Sequence, residues 1–144
     1  MQESQNIEWK EIWKDEYLKW ICGFANASGG KIIIGKNDKG EIVGLKNSKK
    51  LLEDIPNKVK DILGILVEVR LQKYNNQEFI EIIVESYPFP VNYKGRYYFR
   101  SGSTLQELKG QALNDFLLKK SRKTWEEALE LQASFDEIFI DAIE

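Results

Sequence analysis

The fold class this sequence predicts is α+β, a mixed or antiparallel β-sheet with helices packed on it, and three patterns carry that prediction. Ile32, Ile33 and Ile34 form a continuous apolar run bounded by glycines, the pattern of a short strand covered on both faces. Residues 65–74 and 78–85 alternate instead. Val67, Val69 and Leu71 interleave with Glu68, Arg70 and Gln72, and Ile80, Ile82 and Val84 with Glu81 and Glu85, as in two antiparallel strands joined at Asn75-Asn76-Gln77. Trp13, Tyr17, Trp20, Ile21 and Phe24 recur at the spacing of one helical face.

Taken in order, residues 1–10 read as an extended lead-in. A solvated arm is the plain reading; a carboxylate cluster is the functional one, with Glu3, Glu8 and the neighbouring Lys10. Two or three converging carboxylates hold Mg²⁺ or Mn²⁺ through oxygen, and a lysine beside them stabilises charge on a phosphate. Residues 11–28 read as a helix whose aromatic stripe faces the core or stacks on bases. Asn26 and Ser28 before Gly29-Gly30 mark its end, a glycine supplying the left-handed cap. The double glycine also offers backbone N–H groups to a phosphate, but the G-x-x-x-x-G-K-[ST] pattern of a P-loop is missing. Asn37-Asp38-Lys39-Gly40 is a turn, and the return strand 41–45 brings Ile42 and Val43 against the sheet.

Residues 46–63 read as a second helix starting near Ser48, with Leu51, Leu52, Ile55, Val59 and Ile62 inward and a break at Pro56. Its lysines make it the most basic stretch, either a solvated face or a phosphate-contacting one. Tyr87-Pro88-Phe89-Pro90 is a loop, since two prolines this close do not fit a central strand. Tyr93 to Arg100 then mixes cations with aromatics, which suits stacking plus phosphate contact, or an ordinary strand with Tyr97 and Phe99 on one face and Tyr98 and Arg100 on the other. Ser103 or Thr104 caps a further helix, Thr104-x-x-Glu107 having capping-box form, with Leu105, Leu108, Leu113, Phe116 and Leu117 on its apolar face.

Composition narrows the chemistry. A chain of 144 residues, 42% hydrophobic, suffices for one domain with a sizeable core. It has no histidine and a single cysteine, Cys22, which excludes Ser-His-Asp and Cys-His catalysis, a disulfide framework and His- or Cys-based metal sites within this chain. No apolar run approaches the roughly 20 residues of a membrane span, and no signal-peptide pattern opens the chain, so a cytoplasmic location is expected. The net charge of −2 hides an asymmetry: residues 125–144 hold seven acids and no Lys or Arg, leaving 21 basic against 16 acidic residues in the rest. Residues 1–124 are therefore expected to form the domain, with 125–144 an acidic amphipathic helical tail that opens a further region of a longer protein or packs on its own body or on a second copy.

The ordered set Glu3-Ser4, Glu8-Trp9-Lys10, Phe24-Ala25-Asn26, Gly29-Gly30, Ile34-Gly35 and Asp38-x-Gly40-x-Ile42-x-Gly44 resembles the Schlafen AlbA_2 family. Pro88, Pro90, Gly95, Tyr97-Tyr98-x-Arg100 and Ser101-Gly102-Ser103-Thr104 resemble its second block. The resemblance implies a nucleic-acid-associated domain, in bacteria commonly at the N-terminus of transcriptional regulators. It also implies phosphate contacts at Lys36, Lys39, Lys94, Arg96 and Arg100, with DNA favoured over RNA. A second implied function is a metal-dependent endoribonuclease, in which Glu3, Glu8 and Asp38 are catalytic acids holding Mg²⁺ or Mn²⁺, with Lys10 beside them. A protein-interaction or homodimerisation module is the third reading.

Overall fold

The computed structural model describes residues 6–143, with side chains through residue 134. Six strands are present among them: β1 (Ile7–Lys10), β2 (Gly30–Ile34), β3 (Glu68–Tyr74), β4 (Gln77–Val84), β5 (Tyr97–Ser101) and β6 (Thr104–Leu108). Three α-helices accompany them: α1 (Leu18–Asn26), α2 (Ser48–Lys58) and α3 (Gly110–Ile143). The first four strands make a mixed sheet in the order β1-β2-β4-β3, with β1 parallel to β2 and the other pairs antiparallel. β5 and β6 form a separate antiparallel hairpin. Helix α1 lies between that hairpin and the sheet, and α2 covers β3 and β4. The α+β class and the mixed sheet are as the sequence predicts.

The core follows from the patterns that predicted it. Ile32, Ile33 and Ile34 are all buried, and Ile80, Ile82 and Val84 alternate inward beside them. Helix α1 buries every residue from Ile21 to Asn26. Its end is fixed by Gly29, whose N–H donates to Phe24 O at 2.9 Å with φ +76, a left-handed conformation open to glycine. Gly30 serves close approach: a Cβ there would enter the Phe24 ring and stand 2.6 Å from Asn6 O. The double glycine is a packing device between α1, β2 and the chain before β1.

Several elements differ from expectation. Residues 7–10 are not a lead-in but a strand, and helix does not begin at residue 11. Lys14 is still extended (φ −132, ψ 140), a 3₁₀ turn occupies Asp15–Tyr17, and α1 starts at Leu18. The return segment after Gly40 makes one isolated bridge, Lys36 to Ile42, and Val43 is 43% exposed rather than set against the sheet. Helix α2 runs through Pro56 and widens into a π-helical turn, Val59–Leu63, that ends on left-handed Gly64. The buried stripe Leu51, Ile55 and Val59 holds the helix past the single bond that proline forfeits, while Ile62 points outward. Thr104–Leu108 is strand, not helix. Gly102 at φ +60 and Ser103 make a two-residue hairpin turn that sets Ser101 opposite Thr104, and this turn chemistry overrides the capping-box pattern.

Cys22 is fully buried on α1, its Sγ 3.2 Å from Val91 O. Burial pushes its thiol up to about 11, because the thiolate would be desolvated. The folded state thus favours the protonated thiol. Its contribution is complete below the ordinary thiol value near 9 and is lost as pH rises toward 11. Two results are expected. Iodoacetamide labels Cys22 at neutral pH only as fast as the chain unfolds, and urea stability falls more steeply between pH 9 and 11 in wild type than in Cys22→Ala. Rapid labelling of the folded protein would contradict this burial.

Candidate nucleic-acid interface

Strand β1 is an edge strand, and its two-residue period distributes its side chains over both faces of the sheet. Glu8 and Lys10 share the α1 side, and Trp9 takes the other. Glu8 is 5% exposed and lies between two cations, Arg100 Nη2 at 3.3 Å and Lys10 Nζ at 3.5 Å. Arg100 comes from β5 with a side chain 1% exposed; its Nη2 also donates to Ile7 O at 3.2 Å. Its guanidinium stands 4.5 Å from the centre of the Phe24 ring and 5.8 Å from that of Trp20. Arg100 therefore ties the hairpin to the sheet edge through α1, from the interior.

Around this buried pair, lysines sit over aromatic rings. Lys10 Nζ is 4.8 Å from the centres of both Tyr17 and Trp20. Lys36 Nζ is 4.8 Å above Trp9 on the far side of β1, its backbone N–H donating to Lys10 O. Lys94 stands 5.2 Å from Tyr93, which packs edge-on against Tyr98. The Tyr93–Arg96 turn is closed by reciprocal backbone bonds of 2.7 and 3.0 Å and exposes Lys94 and Arg96. Lys39 and Asp38 are exposed on the turn after β2, which Asn37 Oδ1 organises by accepting from the N–H groups of Lys39 and Glu41.

Glu8, Lys10 and Asp38 line one cleft of about 340 Å³, together with Lys14 and Tyr17. The structure thus brings together three residues that the sequence singled out from segments thirty residues apart. The 3₁₀ turn on its border also faces the other basic loop. Asp15 is held below the usual carboxylate range by hydrogen bonds from Lys58 and Trp13, with Lys94 adding attraction. Glu3 lies outside the described residues. Among the described residues no three metal-ligating side chains converge. Glu8 is paired with Arg100 and Lys10, and Asp38 is exposed on the turn across the cleft.

Sequence reasoning missed Asn26. It is 2% exposed, and its Nδ2 donates to Val91 O and Tyr98 O while its Oδ1 accepts from Val91 N–H, each at 2.8 Å. One side chain thereby fastens the end of α1 to the proline loop and to β5. Its position before the double glycine suggested a helix stop; nothing in the sequence names partners more than sixty residues away.

A mixed sheet whose open edge carries lysines on aromatic rings, backed by a helix clamped under a hairpin, defines a small α+β domain. The chain belongs to the Schlafen AlbA_2 family, whose model matches residues 3–109. Its fold is similar to that of the DIP2311 protein from Corynebacterium diphtheriae, with a TM-score of 0.61 and 18% identity over 72% of this chain and 22% of that one. It is similar too to the N-terminal domain of a protein from Nitrosomonas europaea described as related to the ATP-dependent DNA helicase RecG, with a TM-score of 0.53 and 23% identity over 77% and 88% of the two chains. At these identities the likeness is one of fold. The match spans about a fifth of DIP2311. No curated protein matches the chain, and no helix among the described residues is long and apolar enough to cross a membrane.

Proposed function

We propose that this chain is a nucleic-acid-binding module, with duplex DNA its first target, that attaches a longer, cytoplasmic transcriptional regulator to DNA. The observation that carries the reading is the pair of lysines held over aromatic rings on two loops: Lys36 on Trp9 and Lys94 on Tyr93. A cation–ring contact of about 0.5–1 kcal/mol restrains an ammonium that must otherwise lose rotamer freedom on meeting a phosphate. Lys36 and Lys39 from one loop and Lys94 and Arg96 from another supply the phosphate contacts, which set position but carry no sequence information. Arg100 belongs to the scaffold under this reading, since a side chain 1% exposed does not meet solvent phosphate. Membership of the Schlafen AlbA_2 family supports the nucleic-acid assignment.

A second reading, a metal-dependent endoribonuclease, draws on the common cleft of Glu8, Lys10 and Asp38 and would require Glu3 as a further acid. Fluorescence anisotropy of end-labelled duplex DNA and structured RNA, at low salt with Mn²⁺, separates the two. Binding gives a stable rise, larger for DNA. A rise that decays below its starting value means cleavage and overturns the pure binding reading, and a flat trace overturns both.

A further inference from the structure

Helix α3 outruns the domain it packs on. It carries 34 residues, a span of about 50 Å at 1.5 Å per residue. Contacts anchor its first half: Lys120 Nζ donates to Tyr87 O at 2.6 Å and Thr124 Oγ1 lies 3.4 Å from Pro88 O. Residues 125–134 beyond that point are exposed throughout. Leu118, Trp125 and Leu129, at i, i+7 and i+11, share one side of the helix and are 62%, 65% and 50% exposed. Arg122 stands in the same line. The stripe borders an apolar groove of about 530 Å³ between α3 and the β5–β6 hairpin, which Leu118 helps to line and where Lys119 and Arg122 supply positive charge.

We infer that this stripe is a self-association surface along which two copies of the chain pair through antiparallel α3 helices. The charge pattern selects both occupant and direction. Residues 119–123 carry four cations and residues 126–130 three acids, so a parallel pair would lay like charge on like, and an antiparallel pair lays each block on its opposite. The register that sets Leu118 against Leu129 of the second copy also brings Arg122 to Trp125 and Lys119 to Glu126 of that copy. By two-fold symmetry every contact occurs twice. Apolar burial, a cation on a ring and an ion pair thus converge on one seam.

Sedimentation equilibrium of the full chain tests this with two charge variants, Lys119→Glu/Arg122→Glu and Glu126→Lys/Glu127→Lys/Glu130→Lys. Wild type is expected at twice 16.8 kDa. Each variant alone is expected at the monomer mass, its self-affinity at least tenfold weaker. An equimolar mixture of the two returns to the doubled mass, because each supplies the charge the other has lost. Trp125→Ala/Leu129→Ala is expected to be monomeric as well, and unchanged far-UV circular dichroism establishes that these exposed substitutions leave the fold intact. A wild type that stays monomeric near 100 µM overturns the inference and leaves the face to a different partner or to chain beyond it. A mixture that fails to pair overturns it too.

Discussion

Replacing Asn26 with leucine is expected to destabilise the protein by about 3–5 kcal/mol, a large share of the roughly 5–15 kcal/mol available to a domain. Leucine keeps the branched outline but offers no hydrogen bond and adds bulk, so the cost is mainly polar with some overpacking. The Val91 N–H and the Val91 and Tyr98 carbonyls each lose a 2.8 Å bond to a side chain 2% exposed. A buried group without its partner costs about 1–3 kcal/mol, and Val91 O keeps only the weak Cys22 thiol. Asn26→Asp should not rescue, because it retains the acceptor for Val91 N–H but loses both donor bonds and buries a charge. Urea unfolding is the direct check, with a melting temperature lower by about 10 °C or more as its counterpart. A variant within 1 kcal/mol of wild type would mean that the α1 end and the proline loop are fastened some other way.

Arg100→Met is expected to cost about 3–5 kcal/mol, because it strands Glu8 at the buried sheet edge with Lys10 as its remaining cation in the pair. The sign of the coupling distinguishes an ion pair from simple loss of packing. Arg100→Met combined with Glu8→Met should be more stable than Arg100→Met alone, since the second change removes the carboxylate whose buried partner the first took away. If the two losses add without coupling, the guanidinium matters for its stacking on Phe24 and Trp20 and not for Glu8. Molecules of either variant that remain folded should bind nucleic acid with the salt dependence of wild type.

The strands with the clearest periods were legible because burial writes them locally: the isoleucine run of β2 and the alternations of β3 and β4 need no knowledge of their neighbours. Strand β1 was not, because the alternation Ile-Glu-Trp-Lys lasts only four residues and the strand buries the charged Glu8 as well as Trp9. What makes Ile7–Lys10 a strand is parallel pairing with Lys31–Ile34, a partner fixed only once the chain has folded. Thr104 to Leu108 illustrates two local signals in conflict, a capping box and a Gly-Ser hairpin turn, with the second prevailing because β5 offers a ladder. At the site, residue types indicated Glu8 and Lys10, the family resemblance added Asp38, and folding gathers these three around one cleft. The inward turn of Arg100 was not legible. Tyr-x-Arg on an alternating strand allows either face, and only Glu8 beneath it decides.

The salt dependence of DNA binding tests the central claim most directly. Affinity for a labelled duplex, measured by anisotropy between about 50 and 200 mM salt, should fall with a log–log slope of about −3 to −4, as expected for four phosphate contacts. Lys36→Glu/Lys39→Glu should shallow that slope by about 2 while leaving the melting temperature unchanged. A wild-type slope near zero, or the same slope in the variant, would contradict a phosphate-binding face at the sheet edge.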